Sequence, residues 1–262
     1  MSTRNEPWPE GTPCWADLSA RDREAAQRFY GDLFGWHIED TGEEMGHYGI
    51  GMFGGRRVAG IGEQPPGDPG PPHWTTYLAS DDVDKTCDAI STAGGTVVMA
   101  PMQVGTAGRM AIAQDPNGAF FGVWQSGDVI GSELVNEPGT IVWSECLSRH
   151  PQQALDFYAA VFGLSFTPME GEDYWTINGA GPGNMVGGIG KLPASAPAEM
   201  PAHWMTYFAV ADADDTVSTA TQAGGTVQTP PFDTTYGRMA VVKDPQGALF
   251  SIAGPVAEVA EG

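Results

Sequence analysis

The chain has 262 residues, 41% of them hydrophobic, and 33 acidic against 12 basic side chains give it a formal charge of −21. That balance repels a phosphate backbone, whose binding needs clustered Lys and Arg, so nucleic acid and anionic membrane are excluded as expected partners and the charge is read as a solubility device. No apolar run approaches the ~20 residues that span a bilayer, and Met1 to Thr12 is too polar for a secretory leader. The protein is expected to be soluble and cytoplasmic. Cys14, Cys87 and Cys146 lack CxxC spacing, which points to buried thiols rather than disulfides or zinc.

In chain order, Cys14 to Leu18 alternates like a half-buried strand, and Asp22 stands where a helix N-cap belongs. Ala25, Ala26, Phe29, Tyr30, Leu33 and Phe34 then recur at helical spacing, with Gly35 as the stop. Trp36 to Glu39, His47 to Phe53 and Val58 to Glu63 read as three short strands, and the GIGMFGG run at 49–55 is a hairpin rather than a dinucleotide loop. After the Pro/Gly-rich connector at 64–72, the βαβββ order begins again with a strand at His73 to Ala79 and a helix over Asp82 to Ala93. Strands follow at Thr96 to Ala100, Gly108 to Gln114 and Phe120 to Gln125.

The whole pattern then repeats. HWTTYLA at 73–79 returns as HWMTYFA at 203–209, FYGDLFGW at 29–36 as FYAAVFGL at 157–164, and the AGGT, GRMA and DPxGA stretches each occur twice. Self-similarity on this scale means one unit used twice. We therefore expect a first domain at 1–127, a linker at 128–138 and a second domain at 139–262, each large enough to bury a core, with PVAEVAEG as a loose C-terminal tail.

Four βαβββ modules, with FYxxxFG ending the first helix of each domain and DPxGAxF opening the last strand, resemble the vicinal oxygen chelate superfamily, which includes glyoxalase I, extradiol dioxygenases and bleomycin-resistance proteins. The likeness is to two-domain actinobacterial members. It implies an α+β fold in which paired modules form two tandem bowl-like mixed sheets, with helices on the outer faces. It also implies a metal or small ligand on the concave face, with metal ligands on the first and last strands of the modules. Counting from Phe29 and Asp115 puts those positions at Trp15, Thr75, Gly122 and the 59–61 segment, and in the second domain at Trp143, Met205, Ser251 and the 187–189 segment. These are not ordinary metal ligands, apart from Thr75 as a weak one, so no metal cofactor is expected.

Side chains two apart on a strand share a face, which places Asp17 and His73 in the first bowl and Glu145 and His203 in the second. Each carboxylate–imidazole set can be read as a structural pair, a proton-transfer pair or an under-coordinated metal site. The same alternation makes Trp15, Thr75, Tyr77, Arg109, Phe120, Trp124, Trp143, Tyr207 and Arg238 candidate ligand-binding residues, with Asp115 and Asp244 as alternative partners for the two arginines. Gly122 leaves room in the first bowl, whereas Tyr174, Trp175 and Tyr236 add bulk to the second without counterparts at Gly46, His47 and Ala107. The first bowl is thus expected to be the open pocket.

The expected function is binding of a small aromatic or carbonyl metabolite, in the manner of glyoxalase/bleomycin-resistance proteins and without the usual metal. The alternative is a lyase, isomerase or oxygenase on a carbonyl or polyphenolic metabolite that uses the same carboxylates and histidines. An interaction scaffold has no sequence feature in its favour, and there is no GxSxG elbow.

Overall fold

Asp22, Asp82 and Asp212 each accept a hydrogen bond from the backbone N–H three residues on, at Ala25, Lys85 and Asp215, and so start three helices. The other helix begins with Pro151 in its first turn, where a missing N–H costs nothing. A computed structural model describes residues 2–67, 69–180 and 183–256. Residues 257–262 of the expected tail lie outside the described residues.

The first half contains β1 (Ser2–Thr3), β2 (Pro13–Ala20), α1 (Arg23–Phe34), β3 (His37–Asp40), β4 (Gly49–Phe53), β5 (Arg56–Glu63), β6 (His73–Ala79), α2 (Val83–Thr92), β7 (Thr96–Val104), β8 (Gly108–Gln114) and β9 (Phe120–Ser126). A short β10 (Leu134–Val135) leads to the second half. There follow β11 (Ile141–Ser148), α3 (Pro151–Phe162), β12 (Phe166–Pro168), β13 (Tyr174–Asn178), β14 (Met185–Lys191), β15 (His203–Ala209), α4 (Ala213–Gln222), β16 (Thr226–Thr234), β17 (Gly237–Lys243) and β18 (Leu249–Gly254). Sequence periodicity missed β12, a three-residue edge strand. It also missed the pairing of β1 with β10, which ties the polar N-terminal arm to the linker.

Each half forms one eight-stranded sheet, in the order β3-β4-β5-β2-β6-β9-β8-β7 and β12-β13-β14-β11-β15-β18-β17-β16. The two modules of a half meet along an antiparallel central pair, β2 with β6 or β11 with β15, and a parallel strand flanks each member of that pair. The expected α+β architecture of four βαβββ modules in two mixed sheets is what is observed. Among the described residues, no helix is long and apolar enough to cross a membrane.

The cores do not follow the sequence boundary. One cluster joins Leu18, Phe29, Tyr30, Phe34 and Ile61 of the first half to Phe208, Phe250 and Ile252 of the second. The other joins Leu78, Ile90, Phe121 and Val123 to Phe157, Tyr158, Phe162 and Ile177. The helix-bearing faces of the two sheets therefore pack on each other, and each half completes the other's core.

The repeated motifs meet at this junction. The Trp74 indole donates to the Tyr30 hydroxyl at 3.1 Å, and that hydroxyl donates to Asp244 Oδ2 at 3.1 Å. In the mirrored set, Trp204 donates to Tyr158 at 2.8 Å and Tyr158 to Asp115 at 3.3 Å. HW, FYxxxFG and DPxGA are thus three parts of one buried latch between the halves. Asp115 and Asp244 serve here and not as partners of Arg109 and Arg238, which corrects that expectation.

Candidate functional site

The alternation of β2 is regular, with Cys14, Ala16, Leu18 and Ala20 buried on one face. Trp15 and Asp17 therefore face the other, concave side, together with Thr75 and Tyr77, their cross-strand neighbours on β6. On β9, Phe121 and Val123 enter the helix-side core, so Phe120, Gly122 and Trp124 face the bowl. Tyr77, Trp15, Trp124, Met110, Ile112 and Trp8 form one cluster there.

At the centre, Asp17 Oδ2 accepts from the hydroxyls of Tyr77 at 3.1 Å and Tyr48 at 3.2 Å. The Tyr48 hydroxyl in turn accepts from the Trp15 indole at 3.1 Å. The second bowl repeats the arrangement. Glu145 Oε2 accepts from Tyr174 at 2.7 Å, its Oε1 accepts from Tyr207 at 2.6 Å, and the Trp143 indole donates to Tyr174 at 2.8 Å. The concave face of each sheet is thus built around a carboxylate, two phenols and an indole.

Sequence reasoning missed Tyr48 and misaligned Tyr174. The two are counterparts, so the second bowl has no extra tyrosine at that position, and the comparison with Gly46 and His47 is corrected. The signal was the glycine spacing on the neighbouring strands. A Cβ at Gly60 would overlap the Tyr48 hydroxyl and one at Gly188 the Tyr174 hydroxyl, while Gly62 and Gly190 line the same rings. Gly122 likewise makes room that the Tyr77 ring already occupies, which corrects the expectation that it opens the first bowl.

Arg109 and Arg238 lie on the opposite face. Ala111 and Ala240, two residues on, are buried in the helix-side cores. Arg109 grips Asp84 of α2 with two hydrogen bonds of 2.5 and 3.1 Å, and Arg238 holds Asp214 of α4 and Asp233. Small residues after each arginine suggested the concave side, but they are small because helices pack over them.

His73 and His203 stand two residues before Thr75 and Met205, at the start of their strands. The Nδ1 of His73 lies 3.0 Å from the Pro71 carbonyl and that of His203 2.9 Å from the Pro201 carbonyl. A carbonyl only accepts, so Nδ1 carries the hydrogen and Nε2 is the basic nitrogen of the neutral ring. Neither histidine hydrogen-bonds to the carboxylate in its bowl.

Burial pushes the Asp17 carboxyl up from 3.8 to about 6, against the opposing effect of the Tyr77 and Tyr48 hydrogen bonds. Burial also raises Glu145, opposed by Tyr207 and Tyr174. A carboxyl raised in the fold stabilises most when protonated, so the Asp17 contribution is full below its ordinary range and is lost as pH rises towards its folded value. Asp17→Asn removes that loss. Urea unfolding is expected to show wild type losing about 2 to 3 kcal/mol relative to the variant between about pH 4 and about pH 7, and parallel pH profiles would refute the assignment.

Among the described residues, no group of three or more His, Cys, Asp and Glu side chains is placed to hold a metal ion. Trp, Thr or Met, and Gly or Ser at the expected ligand positions do not form a donor set that fits one. Three clefts among the described residues lie outside the Asp17 cluster. One of about 270 Å³ is lined by Arg4, Trp8, Pro13, Trp143 and Met185, and one of about 510 Å³ by Arg149, Glu172, Tyr174 and Lys191, so both border the Glu145 cluster. The third, of about 390 Å³, lies beside α1 at Glu24, Arg28 and Trp36.

A family model described as Glyoxalase/Bleomycin resistance protein/Dioxygenase superfamily matches residues 15–123 and again 140–252. The chain is 44% identical to "Putative glyoxylase CFP32" of Mycobacterium tuberculosis, over 97% of this chain and 98% of that protein. It is 38% identical to the anthracycline biosynthesis protein DnrV of Streptomyces peucetius, over 92% of each. Among solved structures, an Mn(II)-bound glyoxalase from Novosphingobium aromaticivorans superposes with a TM-score of 0.64 at 18% identity, covering 95% of this chain and 84% of that one. A catechol 2,3-dioxygenase gives 0.62 at 11% identity, over 95% and 90%. These two show the shared fold.

Proposed function

Because the chain belongs to the Glyoxalase/Bleomycin resistance protein/Dioxygenase superfamily, we propose that it binds a small aromatic or carbonyl metabolite on the concave face of its sheets, without the metal centre of the family's metalloenzymes. The observation that carries this reading is the Asp17–Tyr48–Tyr77–Trp15 cluster, which shares the concave face with the expected ligand positions and lies in a wall of aromatic and methionine side chains. Flat apolar walls with sparse polar groups suit conjugated ligands, and methionine adapts to irregular shapes. The anthracycline biosynthesis relative suggests the same ligand class.

A second reading is a lyase, isomerase or oxygenase on such a metabolite. The raised Asp17 carboxyl favours it, because an acid that titrates near neutrality can donate or accept a proton at working pH.

Elemental analysis of protein purified without chelator is expected to find no stoichiometric transition metal, and one Ni, Mn, Fe or Zn per chain would overturn the metal-free reading. Turnover of methylglyoxal with a thiol that disappears in Asp17→Asn would favour the enzyme over the binding protein.

A further inference from the structure

The two bowls share a cluster but use their carboxylates differently. Glu145 is one methylene longer and spans its two phenols, one on each oxygen. Asp17 is shorter, and both phenols converge on Oδ2. Its Oδ1 takes no hydrogen bond from the described residues, and it is not among the buried atoms left without a partner, so it meets the space of the bowl. A carboxylate has room for about four hydrogen bonds, and one oxygen of Asp17 keeps its share for something else.

The surroundings differ in the same direction. In the first bowl, Phe120 is 50% exposed and Met102 44%, and Trp124 pairs with Ala79 across the sheet. At the matching places the second bowl has Leu249 and Phe232, and Ala253 pairs with Ala209 where Trp124 would be. The first bowl thus combines the Phe120 and Trp124 rings with an open acceptor. The second lacks those two rings, carries Phe232, 42% exposed, in place of Met102, and has both oxygens of its acceptor engaged.

Resting on the reading of the bowls as metabolite sites, we propose that ligand binds in the first bowl alone and that Asp17 Oδ1 selects it by accepting a hydrogen bond from a hydroxyl on a flat aromatic ring. Rings lie against Trp15, Phe120 and Trp124 while the hydroxyl reaches the carboxylate between them. An aromatic acid is disfavoured, because its carboxylate would meet Asp17 in a chain of formal charge −21. The second bowl then serves the fold, with Glu145 as its brace.

Equilibrium dialysis at neutral to slightly alkaline pH with 2-naphthol, naphthalene and 2-naphthoate tests this. Wild type is expected to bind 2-naphthol at one per chain and about 10-fold more tightly than naphthalene, the difference a hydrogen bond to a charged acceptor makes, and to bind 2-naphthoate more weakly than either. Asp17→Asn should remove most of that preference, whereas Glu145→Gln should leave 2-naphthol unchanged. Equal binding of 2-naphthol and naphthalene by wild type, a result that needs no variant, overturns the role of Asp17 and leaves the bowl as a site. Two molecules per chain, or a loss in Glu145→Gln matching that in Asp17→Asn, overturns the restriction to the first bowl. Failure of both neutral probes to bind overturns the proposed function itself.

Discussion

Asp244→Ala is expected to lower the thermal midpoint by roughly 6 to 20 °C, from a cost on the order of 3 to 5 kcal/mol in a chain of this size. Asp244 is 3% exposed. Its Oδ1 accepts from the backbone N–H of Gln246 at 2.8 Å and Ala248 at 2.9 Å, while Oδ2 accepts from Tyr30 across the junction between the halves. Alanine leaves these donors buried without partners and opens a gap beside them. Tyr30→Phe removes only the hydroxyl and should cost less, and a double-mutant cycle between Asp244 and Tyr30 should return a coupling of about 1 kcal/mol. Differential scanning calorimetry reads both, and a shift under about 2 °C for Asp244→Ala would show that the latch does not hold the halves together.

Gly122→Ala should be nearly as damaging, at about 2 to 4 kcal/mol from overpacking plus a weakened hydrogen bond. A Cβ at 122 would overlap the Tyr77 ring, which is 4% exposed and fixed at its hydroxyl by Asp17. The ring must swing away, and Asp17 then loses a donor that favours its charged form. The variant should therefore show both a lower midpoint and an Asp17 carboxyl that titrates higher than in wild type, the second measured by carbon NMR of the carboxyl. An unchanged titration would mean that Tyr77 stays in place and the glycine is not a cradle. Ser251 opposite Tyr207 shows that the second bowl tolerates a side chain at the matching position.

Much of the architecture was legible because it rests on local rules: a helix cap at Asp22, two-residue alternation on β2, and motifs that occur twice. Asp17, Glu145, Tyr77 and Tyr207 were placed on the concave faces by parity alone. Tyr48 was not, although it fell within the strand expected at 47–53: the strand begins at Gly49, and the role of Tyr48 depends on Gly60 and Gly62 of the neighbouring strand. Arg109 and Arg238 were misplaced for a related reason. A small residue two positions along marks a close approach, but the sequence does not say whether a helix or a ligand approaches. The shared cores were equally hidden, since two tandem repeats look independent until the partners of Phe29 and Phe34 are known.

Those partners bear on how the chain is made. Phe34 packs 4.7 Å, ring centre to ring centre, from Phe208, and Tyr30 5.5 Å from Phe250. During synthesis the aromatic face of α1 leaves the ribosome long before β15 and β18 exist to cover it, so the nascent first half carries an exposed sticky surface for most of translation. β18, the last strand among the described residues, supplies Phe250 and Ile252 and closes one of the two cores. Premature termination before β18 would therefore release a product with an open core, a substrate for chaperones and proteases rather than a working half-protein.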